Sequence, residues 1–466
     1  MKRTLTDARE TAVIRAPHDG SEVGVCPLAG PEEVRAALDA NVKAARACRE
    51  MPAYERAAAL RRVADALAAE QQTLARTLAL EAGKPISQAR TEIDRAISVF
   101  RDGAEEATRL EGELLPADAV PAGAGRIALA RRFPLSPIAA ITPFNFPLLL
   151  AAHKLAPAMA CGASITLKPP PQDPLTTLRL GEIVAGCGYP EGGVRIVPCH
   201  VEVAQILIDD PRVRMITFTG SARAGWAIRA KAGTKRVALE LGGNAGVIIA
   251  ADADLGWAAA RCAIGGFTYA GQSCISTQRI YVHESVYQQF LDLFVPKVKV
   301  LKVGDVLDDQ VEVGPLISLD AAERVDRWIQ EAVAAGAQLA TGGKRTGSYL
   351  EPTVLVHTSP EMKVNCEEVF APVVTVTPYR RIEDALAAVN DSPYGLQAGV
   401  FTRDLQTMLR CWAELDVGGV NGNDIPGYRV DRLPYGGAKA SGLGREGVRY
   451  AITEMTELRL LTLKLS

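Results

Sequence analysis

The chain predicts a multidomain α/β protein built on parallel sheets. Short β-rich runs alternate with stretches long enough to hold a helix, the pattern that places helices over a parallel sheet. At 466 residues the chain exceeds what one hydrophobic core organises, and its composition is that of a folded globule, with 48% hydrophobic and 23% charged residues.

From Pro31 to about Lys84 the pattern is helical. The segments PEEVRAALDANVKAARACRE and YERAAALRRVADALAAEQQTLARTLALEAGK carry apolar residues three and four apart, and Gly83 precedes the closing Lys84-Pro85. These are expected to be amphipathic covering helices. Beyond Pro134 come PIAAIT, SITLK, VRIVP, RMITFTG, RVALELGG and NAGVIIA, several of them separated by helix-length segments. A second alternating region, from about Asp254 to Asn423, opens on the helix-like ADLGWAAARCAIGG and contains RIYVHE and APVVTVTPY, a second α/β domain. Two period-two segments stand apart, GRIALARRF (125–133) and the terminal ELRLLTLKLS; they are expected to pair beyond the two main cores, at a subunit interface.

Composition also excludes. A net charge of −2 with no basic run argues against nucleic acid as a partner. Nine cysteines without a C-x-x-C pair fit neither a disulfide framework nor a zinc site, so no metal is expected and a reducing compartment is. The N-terminal MKRTLTDARETAVIRAPHDG lacks the apolar core of a signal peptide. The uncharged run 133–152 is long enough to span a bilayer, but its four prolines and Asn145 argue against it. A cytoplasmic enzyme with no membrane partner is the expectation.

Four segments hold polar groups where periodicity does not want them. In ITPFNFP, Asn145 sits between Phe144 and Phe146 in a proline-bracketed turn after a strand, which fixes a side-chain amide. In ALELGGN, Glu240 interrupts an apolar strand, so its carboxylate must be paired, protonated or employed. In FTGSARAG a strand ends at Gly220-Ser221 before a helix, an arrangement that holds phosphate. In FTYAGQSCISTQR, Cys274 places a thiol in a polar stretch. Singly, each has a structural explanation: a turn cap, an ion pair, a plain strand-to-helix turn and an inert buried thiol. Together they make a toolkit for oxidative acyl chemistry, with thiol nucleophile, carboxamide donor, carboxylate base and phosphate cradle.

With EVGVCPLAGPEEVRAAL, EAGKP, HKLAPAMACG, LKPP, VGPLIS, EEVFAPV, SPYGL and PYGGAKASGLGREG, these segments resemble the NAD(P)-dependent aldehyde dehydrogenase superfamily over nearly the whole chain, most closely its lactaldehyde and phosphonate-linked branches. The resemblance implies a Rossmann-like cofactor domain over 1–117 and 134–239, an α/β catalytic domain over 240–425, and a β oligomerisation flap from 118–133 and 448–466, in a homodimer or homotetramer. It makes Cys274 the nucleophile, Glu240 the base that activates water, and Asn145 with the Cys274 N–H the oxyanion donors. It lays Thr142, Pro143, Phe144 and Asn145 along the nicotinamide half of the cofactor, with Leu241 also on the cofactor side. Gly220, Ser221 and Gly225 go to the pyrophosphate, Lys168 to the adenosine ribose, and Glu368 with Phe370 to the nicotinamide ribose. Pro171 stands where NAD-specific members often carry glutamate. Without that carboxylate Lys168 favours a 2′-phosphate, so NADP is expected to be accepted alongside NAD. Lys154 matches a family lysine assigned either to proton relay or to structure.

The substrate is expected to be a small polar or anionic aldehyde. The resemblance lines its pocket with Leu149, His153, Ser273, Ile275, Ser276, Tyr428 and Arg429, and adds Arg95, at a position that contacts anionic groups in some relatives. Arginine is the best side chain for such groups, while solvated surface charge is the plain alternative for both guanidinia. Ser273 replaces an arginine of some phosphate-handling relatives, which weighs against a strongly anionic substrate. Two alternatives stay open. The coenzyme-A-acylating branch lacks the glutamate present here as Glu240, and a retired binding homologue would tolerate loss of Cys274, Glu240 or Asn145.

Overall fold

A computed structural model of the chain describes residues 10–465. Two sheets form its framework. The first has six strands, in the order Gly442–Leu443, Arg236–Glu240, Met215–Thr219, Ile138–Ile141, Ile165–Lys168 and Val194–Ile196. All neighbours run parallel except the outermost pair, where Gly442 lies opposite Glu240 in an antiparallel register. The second has seven, in the order Gln338–Thr341, Thr353–Val356, Val373–Tyr379, Arg279–His283, Gly246–Ile249, Gln397–Phe401 and Gly419–Gly422. Only its first pair is antiparallel.

The alternation read from the sequence is therefore a parallel α/β architecture, and its strands show why. Met215–Thr219 and Gly246–Ile249 are buried along their whole length, as strands covered on both faces must be, so they read as continuous apolar runs. The N-terminal helical region forms helices Pro31–Glu50, Ala53–Ala69 and Gln71–Ala82, the last ended by Gly83 at φ 64. Helix Pro147–Cys161 is buried throughout and lies in the main core against Ile86–Ala107.

The two isolated segments pair with one another. Thr456–Lys464 runs antiparallel to Arg126–Pro134, and Gly112–Leu115, expected within the cofactor domain, adds a third strand. Strand throughout 118–133 is corrected, since Ala117–Ala119 and Pro121–Gly123 are short 3-10 turns around Pro116 and Pro121 and the strand starts at Arg126. Leu458, Leu460, Leu461 and Leu463 are all exposed, on both faces of this sheet. Strand throughout 448–466 is corrected: Val448–Glu454 is a helix, because Val448, Ala451 and Ile452 recur at three and four residues and are buried against Pro147–Cys161. No helix among the described residues is long and apolar enough to cross a membrane.

Candidate active site

A cavity of about 480 Å³ opens at the carboxyl ends of the six-stranded sheet, lined by Thr219 and Glu240 from two strand ends and by Phe144 and Asn145 from the loop after a third. This is where open parallel sheets bind ligands. Cys274 lies on the same wall, so the sequence-distant thiol, amide and carboxylate share one space.

Asn145 is held through its backbone. Lys84 Nζ donates to the Asn145 carbonyl at 2.7 Å and is paired with Glu92; both side chains are fully buried. Glu92 also accepts the N–H groups of Leu148 and Leu149 at 3.1 Å each, capping helix Pro147–Cys161, where Phe146 has no capping side chain of its own. The ammonium sits 3.9 Å from the Phe146 ring centroid and 4.3 Å from that of Tyr269. With the loop fixed, Asn145 Nδ2 donates to Gln272 O at 3.2 Å, and Oδ1 is buried without a partner.

Cys274 is presented by an unusual turn. Tyr269, Ala270 and Gly271 all have positive φ (50, 51 and 68), a conformation that costs non-glycine residues of order 1–3 kcal/mol each and persists only where the surroundings enforce it. A Cβ at Gly271 would lie 2.2 Å from Ala371 O, so only glycine fits. Cys274 emerges half-buried, whereas seven other cysteines are buried and Cys366 is exposed. Its Sγ lies 3.1 Å from the Tyr435 hydroxyl, and its N–H has no acceptor among the described residues. Burial pushes the thiol up to about 12, with the Tyr435 hydrogen bond pulling the other way.

Glu240 ends its strand buried, with Oε2 unpartnered. Burial, then the charge of Glu446, raises its carboxyl well above the usual range. Burial opposes ionisation of Glu446 too, but Lys154 Nζ at 2.8 Å and Arg429 Nη2 at 3.0 Å outweigh it and hold that carboxyl low. The two carboxyls are thus biased in opposite directions, Glu240 towards its neutral form and Glu446 towards its ionised form.

The arginines are not surface charges. Arg95 grips Asp431 through Nε at 2.8 Å and Nη2 at 2.7 Å, and Arg429 Nε lies 3.2 Å from the same carboxylate. Both guanidinia line the cavity with Leu149, Ser273, Ile275 and Ser276. Two expected pocket residues do not. His153 is buried behind the wall, its Nε2 3.1 Å from both Asp431 and Arg429, and Tyr428 is turned out and exposed. The helix periodicity that aims residue 149 inward sends residue 153 one turn deeper.

Of the expected cofactor residues, Pro143, Phe144, Gly220, Ser221, Leu241, Glu368 and Phe370 line the cavity. Thr142, Lys168 and Gly225 lie outside it. Gly225 is buried where a Cβ would meet Leu241 at 2.4 Å, which lets helix Ala222–Lys231 approach the sheet. Lys168 is buried, which lowers its ammonium below the usual range. Ser221 caps that helix, the Thr142 and Thr219 hydroxyls are buried without partners, and burial raises Glu368 to about 7. Sequence reading missed Lys84, Glu92, Asp431, Tyr435 and Glu446. Glu92 was discoverable, since it falls on the apolar face that Ala89, Ile93 and Ala96 define.

A strand-end cavity that presents a thiol, a carboxamide and buried carboxyl groups places the protein with enzymes of thiol-based acyl chemistry. More particularly, the chain belongs to the aldehyde dehydrogenase family, whose profile matches residues 5–461. It is 45% identical over 413 residues to a 3-sulfolactaldehyde dehydrogenase of Priestia megaterium, covering 88% of this chain and 87% of that one. Among solved structures it resembles aldehyde dehydrogenase 21 from Physcomitrella patens in complex with the reaction product succinate, at 41% identity and a TM-score of 0.97, over 99% of this chain and 96% of that one. It also resembles a glyceraldehyde-3-phosphate dehydrogenase from Methanocaldococcus jannaschii complexed with NADP, at 37% identity and a TM-score of 0.94, over 98% of this chain and all of the other.

Replacing Lys84 by Met should strand the Glu92 carboxyl and cost about 3 kcal/mol in denaturant unfolding, the usual loss when one member of a buried pair is removed. Adding Glu92→Leu should restore much of that stability but not the turnover, because the Asn145 carbonyl still lacks its donor.

Proposed function

We propose that the protein oxidises a small aldehyde bearing one negative charge, or a comparably polar group, to the carboxylic acid, with Cys274 as nucleophile, Asn145 as oxyanion donor and Glu240 as base. The observation that carries this reading is the convergence of these three side chains on one cavity. Ionised Cys274 adds through Sγ to the carbonyl carbon, and the displaced electron pair comes to rest on oxygen. Asn145 Nδ2–H and the Cys274 N–H stabilise that oxyanion, each donor contributing about 3–4 kcal/mol.

The buried, unpartnered hydroxyl of Thr219 and the capped helix at Ser221 fit a dinucleotide, with Gly220, Ser221, Glu368 and Phe370 holding it and Lys168, beyond the cavity, assigned to its adenosine end. Bound there, a nicotinamide dinucleotide supplies the two-electron acceptor that turns the thiohemiacetal into a thioester. Pro171 puts no carboxylate against a 2′-phosphate, which supports use of NADP as well as NAD. Glu240 takes a proton from water as the water adds to the thioester carbon; the C–S bond then breaks and the acid leaves. Its raised pKa makes the ionised form a stronger base for that proton. Hydrolysis to a free acid, rather than transfer to coenzyme A, follows from having that base.

Charge supports the substrate class. Around the far wall the cations Arg95, Arg429 and Lys154 outnumber by one the carboxylates they pair with, Asp431 and Glu446. One excess cation suits a monoanion, in keeping with the sulfonate and carboxylate named for the relatives. The exposed leucines of the three-stranded sheet support a homodimer or homotetramer, and nine free cysteines support a reducing, cytoplasmic setting.

Cys274→Ala should abolish oxidation, whereas Glu240→Gln should keep a rapid first burst of reduced nucleotide and lose steady turnover; equal loss of both phases would contradict the division of roles. Arg95→Met should lower kcat/KM for an anionic aldehyde by about 10- to 100-fold, the range of charged hydrogen bonds, and change a neutral aldehyde of equal size little. Because the thiol is raised to about 12, the thiolate fraction grows with pH, and carbamidomethylation of Cys274 in the nucleotide-free protein should accelerate about tenfold per pH unit from neutral into the alkaline range. A plateau below pH of about 9 would overturn that order of events.

A further inference from the structure

The Tyr435 hydroxyl lies 3.1 Å from Cys274 Sγ, buried, on the wall of the same cavity. Its ring is covered by the Arg429 guanidinium, whose carbon is 3.8 Å from the ring centroid. The phenol has no ordinary structural reason to end there. A phenylalanine ring would fill the same space, pack equally on Ile275 and Leu396, and leave no buried hydroxyl to satisfy.

We infer that Tyr435 is a further residue of the reaction, its hydroxyl donating a hydrogen bond to the Cys274 thiolate and so favouring ionisation of the sulfur and aiming it at the arriving aldehyde. The inference deepens the reading of Cys274 as nucleophile and rests on it. The thiol proton leaves to solvent base, and the hydroxyl, able to accept from S–H, turns to donate to S⁻. Every charged or titratable group facing the sulfur can be weighed. Glu368 and Glu240 oppose the thiolate when ionised, Arg429 favours it across the tyrosine ring, and Tyr435 alone touches it. The same cation over the ring draws electron density from the phenol and makes its O–H a better donor, while burial keeps that hydroxyl protonated across the working pH range. Arg429 thereby serves the sulfur at one remove, through the ring it covers.

The test is Tyr435→Phe, which deletes one oxygen and keeps the ring. Carbamidomethylation is followed at the Cys274 peptide by mass spectrometry over a pH series, so that exposed Cys366 does not contribute. Loss of a hydrogen bond to a charged group should slow labelling about tenfold at each pH, equivalent to moving the profile about one unit upward. Opening space by removing an atom could only speed reagent access, so slowing reports lost thiolate. Labelling that stays the same or accelerates would overturn the inference, the latter because the hydroxyl would then have been holding the thiol in its unreactive form. An unchanged Tm and intact nucleotide binding should accompany the change, separating it from misfolding. Turnover distinguishes the two readings: slowed labelling together with oxidation in Cys274→Ala would leave the hydrogen bond standing and sink Cys274 as nucleophile.

Discussion

The site depends on a buried ion pair that stability alone would not favour. Taking Lys84 and Glu92 out of water costs several kcal/mol per ion, and an apolar pair of similar volume would pack as well or better. The charges offset that cost by satisfying three backbone groups, the Asn145 carbonyl and two helix N–H groups, between two aromatic faces. What the pair provides is position. Helix Ile86–Ala107, the loop bearing Asn145 and the first turn of helix Pro147–Cys161 cannot move independently while it stands. Through Tyr269, whose hydroxyl donates to Ala82 O at 2.8 Å, the same knot reaches the strained turn that presents Cys274.

On the opposite wall, two glutamates of the same type are driven apart by their neighbours. Glu446 has an ammonium and a guanidinium within hydrogen-bond reach, which hold its carboxyl low; Glu240 has neither, and burial raises its carboxyl. Arg429 joins this pair to the anion-facing wall, touching Glu446, approaching Asp431 and covering Tyr435. A change at Asp431 or Arg429 is therefore felt electrostatically at Cys274 and Glu240.

Much of this was legible in the sequence because each feature interrupts a local pattern. Glu240 breaks an apolar strand, Asn145 sits between prolines, and Cys274 follows a glycine that only glycine can replace. The sheets were legible from βα alternation and the flap strands from period two. Less legible were features that depend on distant partners. Nothing local marks Asp431 as the carboxylate that grips Arg95, since the two are brought together only by the fold. Tyr435 reads as one more aromatic before a glycine pair. His153 and Tyr428 were misplaced for a related reason: a segment known to approach a pocket does not reveal which of its faces does so. The helix at 448–454 was absorbed into the strand that follows because it spans only two turns.

The short strand Gly442–Leu443 closes the outer edge of the six-stranded sheet, against the strand that ends in Glu240, and Ser441 Oγ donates to Gly242 O at 2.6 Å beside it. Glu240 thus owes its setting to residues far along the chain from its own strand. A chain cut before Ser441 would accordingly expose the strand Arg236–Glu240 as a sticky edge and lose the hydrogen bond to Gly242 that helps set Glu240.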